Sequence, residues 1–407
     1  MILRLCSGQA FEFTCMSLNF LSSANILGQR ALMRVDFNVS FKQNEILDDF
    51  RIQRTLPTIR LLKEQKAKKI ILISHLGRPS KKDQKFSLEP IARYLEKLIG
   101  EKIYFLKTPV GSQLVDAIEK LPHHSIILLE NIRFYEGEEK NDRGFAKQLA
   151  KVGDCFINEA FSVSHRQAAS LCAITEFLPS FAGKLFAEEI SQLDKIIKSQ
   201  KRPLVIILGG AKADDKLLLI ERFLKQADYI LLGGVVANTV LKANDFSIGR
   251  SLFSEEAIAA ARKLGSQKAE LILPGDFVVL DQNNQKQIKE LGLVREKDDI
   301  LDIGPITAAT FSQIVSKAKT IFFNGPLGKF EDPRFKNGTK TIIDAVLSNQ
   351  KAQTVIGGGD TLSAFKILKP EYRIQNTEYR FFSTGGGAML KYLAGEPLPG
   401  LLALKTK

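Results

Sequence analysis

The residues best suited to chemistry form a short run, T-V-I-G-G-G-D-T at positions 354–361. The β-branched residues read as a buried strand and the glycines as a turn that exposes backbone. Asp360, Thr361 and the spacing of Leu362, Phe365 and Leu368 read as the start of a helix. Glycines let an anion approach main-chain N–H groups, and a helix N-terminus favours negative charge. Asp360 is itself an anion there, so a phosphate beside it needs a bridging cation. Magnesium binds in this way, through one or two carboxylates plus substrate phosphates. The competing reading is that Asp360 only N-caps its helix; one oxygen on the cap and the other toward a metal would combine the two. A second glycine edge, Gly209-Gly210-Ala211-Lys212, is followed by Lys216. Lysines four apart at a helix start share a face. The positive end of the helix dipole disfavours them there. They therefore read as phosphate ligands, against the alternative of a solvated first turn.

The first half of the chain offers Arg51, Arg78, Arg133 and Arg166 with His75 and His165, and three of these arginines closely follow apolar runs. Arginine matches carboxylate and phosphate geometry through paired donors. Together the edges suggest a nucleotide on one half and a small, highly anionic acid on the other. Phosphoryl transfer between them asks for positioning and charge neutralisation more than for covalent help. A carboxylate acceptor, with a pKa near ~4, is already ionised at neutral pH and needs no general base. That suits a chain with only four histidines, of which His123 and His124 read as loop residues.

Apolar runs at 31–35, 69–73, 125–129 and 155–157 alternate with helical patterns at 88–99 and 144–152. Runs at 204–208, 229–232, 320–323, 354–356 and 381–384 repeat the unit, now ending in glycines; adjacent glycines occur four times after residue 208 and never before it. Alternation of this kind predicts parallel, doubly wound sheets with ligands at the carboxyl ends of the strands. The expected fold is α/β, with two Rossmann-like parallel-sheet domains joined by a helical hinge. Phe186, Ile190, Leu193 and Ile197 mark that joining helix. The expected boundaries are 16–185, a hinge at 186–202, 203–394, and a C-terminal segment at 395–407. Neither G-x-x-x-x-G-K-[ST] nor G-x-G-x-x-G is present, which argues against a P-loop and against a familiar dinucleotide fold.

A length of 407 residues suggests two domains, and 44% hydrophobic with 25% charged residues is ordinary for a globular protein. The longest apolar stretch, 230–241, is too short to span a bilayer and holds Gly, Asn and Thr. The net charge of +13 comes from scattered lysines without interleaved aromatics, so a solvated basic surface is expected rather than a nucleic-acid interface. Four cysteines without C-x-x-C suit a reducing compartment. Residues 1–15 lack a signal-peptide pattern and read as a disordered or spurious extension.

Longer stretches carry a resemblance. They are L-M-R-V-D-F-N-V (32–39), S-H-L-G-R-P (74–79), L-L-E-N-I-R-F (128–134), L-G-G-A-K-x-x-D-K (208–216), D-I-G-P (302–305), F-N-G-P-x-G-x-F-E (323–331), G-G-G-D-T (357–361), S-T-G-G-G-A (383–388) and L-P-G (398–400). From about Met16 onward the chain resembles phosphoglycerate kinases. The resemblance implies reversible transfer between 1,3-bisphosphoglycerate with ADP and 3-phosphoglycerate with ATP, using magnesium, by a cytoplasmic monomer without nucleic-acid or membrane partners. It implies that Asp36, Asn38, Arg51, His75, Arg78, Arg133 and Arg166 hold the acid, and that Arg51 and Lys212 neutralise the group in flight. Lys216 would bind nucleotide phosphate, Glu331 the ribose and Asp360 the magnesium. Gly233, Gly234 and Gly304 would border the adenine, Gly358, Gly359 and Thr361 meet the phosphates, and Gly385, Gly386 and Gly387 cap the transfer site. The 395–407 segment would pack back on the first domain.

Departures from the family pattern are Ser40 for proline, Glu159 for aspartate, Ser162 for glycine, the absence of a second histidine within 167–170, and Lys329 for an apolar residue. Glu159 and Ser162 fall beside Arg166, where a shifted arginine or looser acid binding is the expectation. Lys329 is expected to alter nucleotide affinity. No charge that the mechanism needs is missing, so an active enzyme is expected.

Overall fold

The computed structural model describes residues 18–42, 45–79, 81–264 and 269–405; the 1–15 extension lies outside them. The chain forms two compact units. One runs to Ile190 and takes in Gly395–Lys407, and the other is Ser191–Ala394. The division falls inside the helix Lys184–Ile197.

Each unit is built on a six-stranded parallel sheet. In the first, the spatial order is Ile103–Leu106, Ser125–Leu129, Lys69–Ile73, Arg30–Arg34, Cys155–Asn158, Ser180–Ala182. The chain starts in the middle, builds to one side, then crosses over. Its reversal point lies between Arg30–Arg34 and Cys155–Asn158, which pair in register from Ala31↔Cys155 to Arg34↔Asn158. Central strands such as KIILI and SIILL are buried at every residue. A parallel sheet covered on both faces demands such unbroken apolar runs. Ile52, Ile59, Leu62, Ile91 and Leu95 cover one face from the flanking helices Phe50–Glu64 and Glu89–Ile99. The C-terminal segment belongs to this unit: Gly400 N–H donates to Ser164 O at 2.8 Å, and Leu18 bridges to Lys405.

The second sheet runs Glu270–Ile272, Tyr229–Leu232, Leu204–Leu208, Thr320–Asn324, Gln353–Gly357, Arg380–Ser383. In chain order this is third, second, first, fourth, fifth, sixth. It is the strand order of dinucleotide-binding folds, reached here without their glycine fingerprint. The reversal point lies between Leu204–Leu208 and Thr320–Asn324. There the backbones nearly touch: Gly209 N–H donates to Asn324 O at 2.9 Å, and Gly210 N–H to Pro326 O at 2.6 Å. A Cβ on Gly209 would collide with the Pro326 carbonyl, and one on Gly325 with the Gly209 carbonyl.

The strong apolar runs all became strands, with ends shifted by a residue at most. Three short sheet strands escape the sequence pattern. Ile103–Leu106 buries only its first residue, and Ser180–Ala182 and Glu270–Ile272 are three residues each at sheet edges. The antiparallel trio Asp276–Leu280, Lys286–Glu290 and Asp299–Ile303 is also missed. Its middle strand is buried while Lys286–Glu290 is nearly all exposed, so no common periodicity marks it.

Because the Gly209–Gly325 approach is backbone against backbone, no rotamer change relieves a methyl group there. Gly209→Ala should lower stability by about 1–3 kcal/mol, read as a lower urea midpoint of the full chain. A midpoint equal to that of the parent would show that the two turns have room to separate.

Candidate active site

On the first unit, the strand Arg30–Arg34 runs into Val35 and Asp36 at the reversal point. Asp36 is 6% exposed. Its Oδ2 accepts from Arg51 Nη1 at 2.8 Å and from the Ser162 hydroxyl, and Oδ1 accepts from the Asn38 N–H at 3.0 Å. Burial alone would raise its pKa. The Arg51 guanidinium, acting together with the Ser162 hydroxyl and Asn38 N–H, reverses that rise and holds the carboxyl at about 2. Arg51 sits in the first turn of Phe50–Glu64, anchored by this bond. Asn38 Oδ1 accepts from the Gly77 N–H at 2.8 Å, and Arg133 Nη1 donates to Gly77 O at 2.5 Å. The loops after three neighbouring strands are thus tied together.

Arg78, Arg133 and Arg166 line one cavity of about 360 Å³, with Glu139 and Arg34. Burial first, then the like charge of Arg166, brings Arg133 down to about 10. The Nε of Arg166 is buried without a partner among the described residues. Arg34 was not foreseen. It is fully buried, donates from Nε to Ser170 Oγ at 2.9 Å and from Nη1 to Val35 O at 2.5 Å, and lies 3.9 Å from Glu138. An arginine ending an apolar strand is the one signal that marked it. His75 is 2% exposed and does not line the cavity. Its Nδ1 faces Arg34 Nη2 at 3.4 Å and Asp36 at 3.9 Å. Burial, reinforced by nearby arginines, pushes its pKa well down, so the ring is neutral and braces Arg34.

The hydrogen bonds of the departures at 159 and 162 run elsewhere than to Arg166. Ser162 donates to Asp36, while Glu159 turns to the helix Lys184–Ile197.

On the second unit, a cavity of about 540 Å³ opens at the reversal point. Its walls are largely apolar: Val235, Phe277, Ile300, Ile303, Leu327 and Phe330. Gly210, Gly234, Lys329, Glu331 and Asp360 also line it. Phe277, Ile300 and Ile303 come from the antiparallel trio, which explains its presence. Gly233 and Gly304 stand behind the wall. A side chain on Gly233 would run into Leu327, and one on Gly304 into Asp276. Asp302, unanticipated, is a buried wall carboxylate that burial pushes up to about 7 although it accepts from the Gly338 and Ile303 N–H groups at 2.7 and 3.0 Å.

Lys212 is exposed just before the helix Asp214–Leu224, whereas Lys216 is 5% exposed within it. Lys216 Nζ donates to Lys212 O at 3.2 Å. Burial lowers its pKa to about 8; Asp215 and Asp360 oppose that fall. Thr361 is buried, and its hydroxyl donates to Gly357 O at 2.8 Å while accepting the Gly325 N–H at 2.7 Å. The hydroxyl therefore ties two turns together. Gly358, at φ +100°, is the N-cap of Gly359–Leu368, and no side chain caps that helix. Asp360 is thus not the cap. Its carboxylate is exposed in the first turn, in the wall of the cavity. Gly385 is buried, Gly386 has φ +51°, and Gly387 is exposed in the first turn of Gly386–Ala394.

No group of three or more His, Cys, Asp or Glu side chains gathers for a metal among the described residues. An exposed carboxylate at an uncapped helix start behind a glycine turn still suits magnesium, which keeps waters and can take its remaining ligands from phosphates. The donor set fits a metal that arrives with a nucleotide.

Comparison with known proteins agrees with this geometry. The phosphoglycerate kinase family model matches residues 21–396. The phosphoglycerate kinase of Dictyoglomus turgidum is 40% identical over 395 residues, covering 95% of this chain and 98% of the relative. That of Rubrobacter xylanophilus is 43% identical over 385 residues, covering 93% and 96%. Solved phosphoglycerate kinases from Coxiella burnetii (34% identity, TM-score 0.82, 95% and 99% covered) and Pyrococcus horikoshii (31%, 0.81, 95% and 98%) share the fold. The chain belongs to the phosphoglycerate kinase family, and its activity is that family's reversible phosphoryl transfer between 1,3-bisphosphoglycerate with ADP and 3-phosphoglycerate with ATP.

Proposed function

We propose that the first unit holds the acid substrate through Asp36, Asn38, Arg51, Arg78, Arg133 and Arg166, with neutral His75 and Arg34 supporting them. The second unit holds the nucleotide. The observation that carries this reading is the chemical contrast between the two cavities, one lined by arginines and one apolar with Glu331 and Asp360 among its polar lining groups. Buried guanidinium groups repel one another until an anion arrives, which favours a substrate with charge at both ends.

In the nucleotide unit, Gly234, Ile303 and Leu327 form a flat apolar slot for the base, and Gly233 and Gly304 let its walls come close. Glu331 accepts from the ribose hydroxyls. The N–H groups at 358–359 and the Lys216 ammonium receive the phosphates. Asp360 ligates the magnesium carried by the nucleotide, which supplies charge neutralisation at the phosphate oxygens. Arg51 and Lys212 stabilise the phosphoryl group in flight, and the helix N-terminus at 385–387 presents N–H groups to it. The carboxylate acceptor needs no proton removed. A monomer working in the cytoplasm belongs to the same reading; no helix among the described residues is long and apolar enough to cross a membrane.

Arg51→Ala and Lys212→Ala should each lower kcat by roughly 10²–10³-fold with circular dichroism unchanged, in a coupled assay with 3-phosphoglycerate and ATP. Parent-like turnover in either removes it from the transfer step. Asp360→Ala should raise the magnesium concentration for half-maximal rate by about tenfold or more, and chelation of magnesium should abolish turnover. An unchanged magnesium dependence would place the metal elsewhere.

Lys216 gives a pH signature. Its ammonium is charged below about 8, and the phosphate favours the charged form. ADP affinity should be highest below pH 8 and fall as pH rises through that value. Calorimetric titration from pH 7 to 9.5 should show the decline in the parent and its loss in Lys216→Arg; an identical decline in both would assign it to another group.

A further inference from the structure

Glu159 is a buried carboxylate, 1% exposed, for which the transfer chemistry has no use. It directly follows the strand Cys155–Asn158. Its carboxylate accepts the backbone N–H groups of Leu185 at 3.0 Å and Phe186 at 3.4 Å, in the first turn of Lys184–Ile197. The Thr58 hydroxyl also donates to it, and the same hydroxyl accepts the Lys184 N–H at 3.1 Å. First-turn donors have no carbonyl of their own helix to serve them. Three of them are satisfied here by two side chains from elsewhere in the chain. Gly183 completes the fit, because a side chain there would overlap the Glu159 carboxylate.

Three elements meet at this point. The helix Phe50–Glu64 carries both Thr58 and Arg51. The segment beginning at Glu159 leads to Arg166. The helix Lys184–Ile197 continues into the second unit after Ile190. Arg54 and Glu188, 2.7 Å apart, join the same two helices a turn further along. The helix N-terminus favours a carboxylate here, and removing it strands buried N–H donors.

We propose that Glu159, with Thr58, is a positioning residue for phosphoryl transfer. It fixes the direction in which the connecting helix leaves the acid-binding unit relative to Arg51 and Arg166. It therefore acts on turnover without touching either substrate. The proposal rests on the assignment of Arg51 and Arg166 to the acid substrate.

The test uses the full chain with Glu159→Ala and Glu159→Asp, their folding checked by circular dichroism. Calorimetry gives the separate dissociation constants for 3-phosphoglycerate and ADP, and steady-state kinetics gives kcat. Glu159→Ala should lower kcat roughly 10- to 100-fold while both dissociation constants stay within about twofold. Glu159→Asp, which keeps the carboxylate, should recover most of kcat. A kcat within twofold of the parent in folded Glu159→Ala overturns the proposal. So does a loss of 3-phosphoglycerate affinity as large as the loss in kcat, which would confine the effect to the arginine edge. Thr58→Val carries the same test where Glu159→Ala does not fold. Unchanged 3-phosphoglycerate dissociation constants in Arg51→Ala and Arg166→Ala would overturn the acid-site assignment alone, leaving a selective kcat loss in Glu159→Ala to stand by itself.

Discussion

Each unit of this enzyme depends on cations held partly out of water. Charge removed from solvent is costly unless something compensates it. The first unit keeps Arg34 fully buried and Arg133 largely so, and burial depresses both. The second does the same with Lys216. Glu138 lies 3.9 Å from Arg34 and Glu139 3.3 Å from Arg133, yet the cavity remains dominated by like charge. An incoming polyanion relieves that repulsion, so part of the binding energy is stored in the free protein.

Supporting such charges requires rigid surroundings, and the parallel sheets provide them. Strands buried along their whole length end at one edge, so the residues just beyond them emerge side by side. In the first unit, those residues are Asp36, His75, Asn131 and Glu159, and most are engaged with a neighbouring loop. Asn131, for example, donates from Nδ2 to Leu76 O at 2.8 Å and Phe86 O at 3.0 Å. In the second unit the corresponding residues are glycines, because the backbones themselves approach. Side chains give way to N–H groups, with polar side-chain support from residues such as Asn324, Thr339 and Thr361.

Three of the departures from the family pattern have defined surroundings. Ser162 adds a donor to the carboxylate that holds Arg51. Glu159 reaches the connecting helix, where burial pushes its pKa up to about 7 despite three hydrogen bonds. Lys329 lies in the wall of the nucleotide cavity. The hydrogen bonds of Ser162 and Glu159 run to Asp36 and to the connecting helix rather than to Arg166.

Much was legible in the residues alone. Unbroken apolar runs ending in Asp36, His75, Gly209 or Gly357 declared both parallel sheets, because burial on two faces demands such runs. The arginines, Lys216 and Asp360 were visible because their types and spacing carry chemistry within a few residues. What tertiary structure alone decided was distance across the chain. It made Gly358 rather than Asp360 the cap, turned the Thr361 hydroxyl inward, and placed Arg34 in the wall of the arginine cavity. It also set His75 apart from that cavity and built one wall of the second cavity from an antiparallel trio with no common periodicity. It joined Glu159 to Leu185, 26 positions away. These outcomes follow from which buried polar groups find partners, and a partner far along the chain leaves no mark on local sequence.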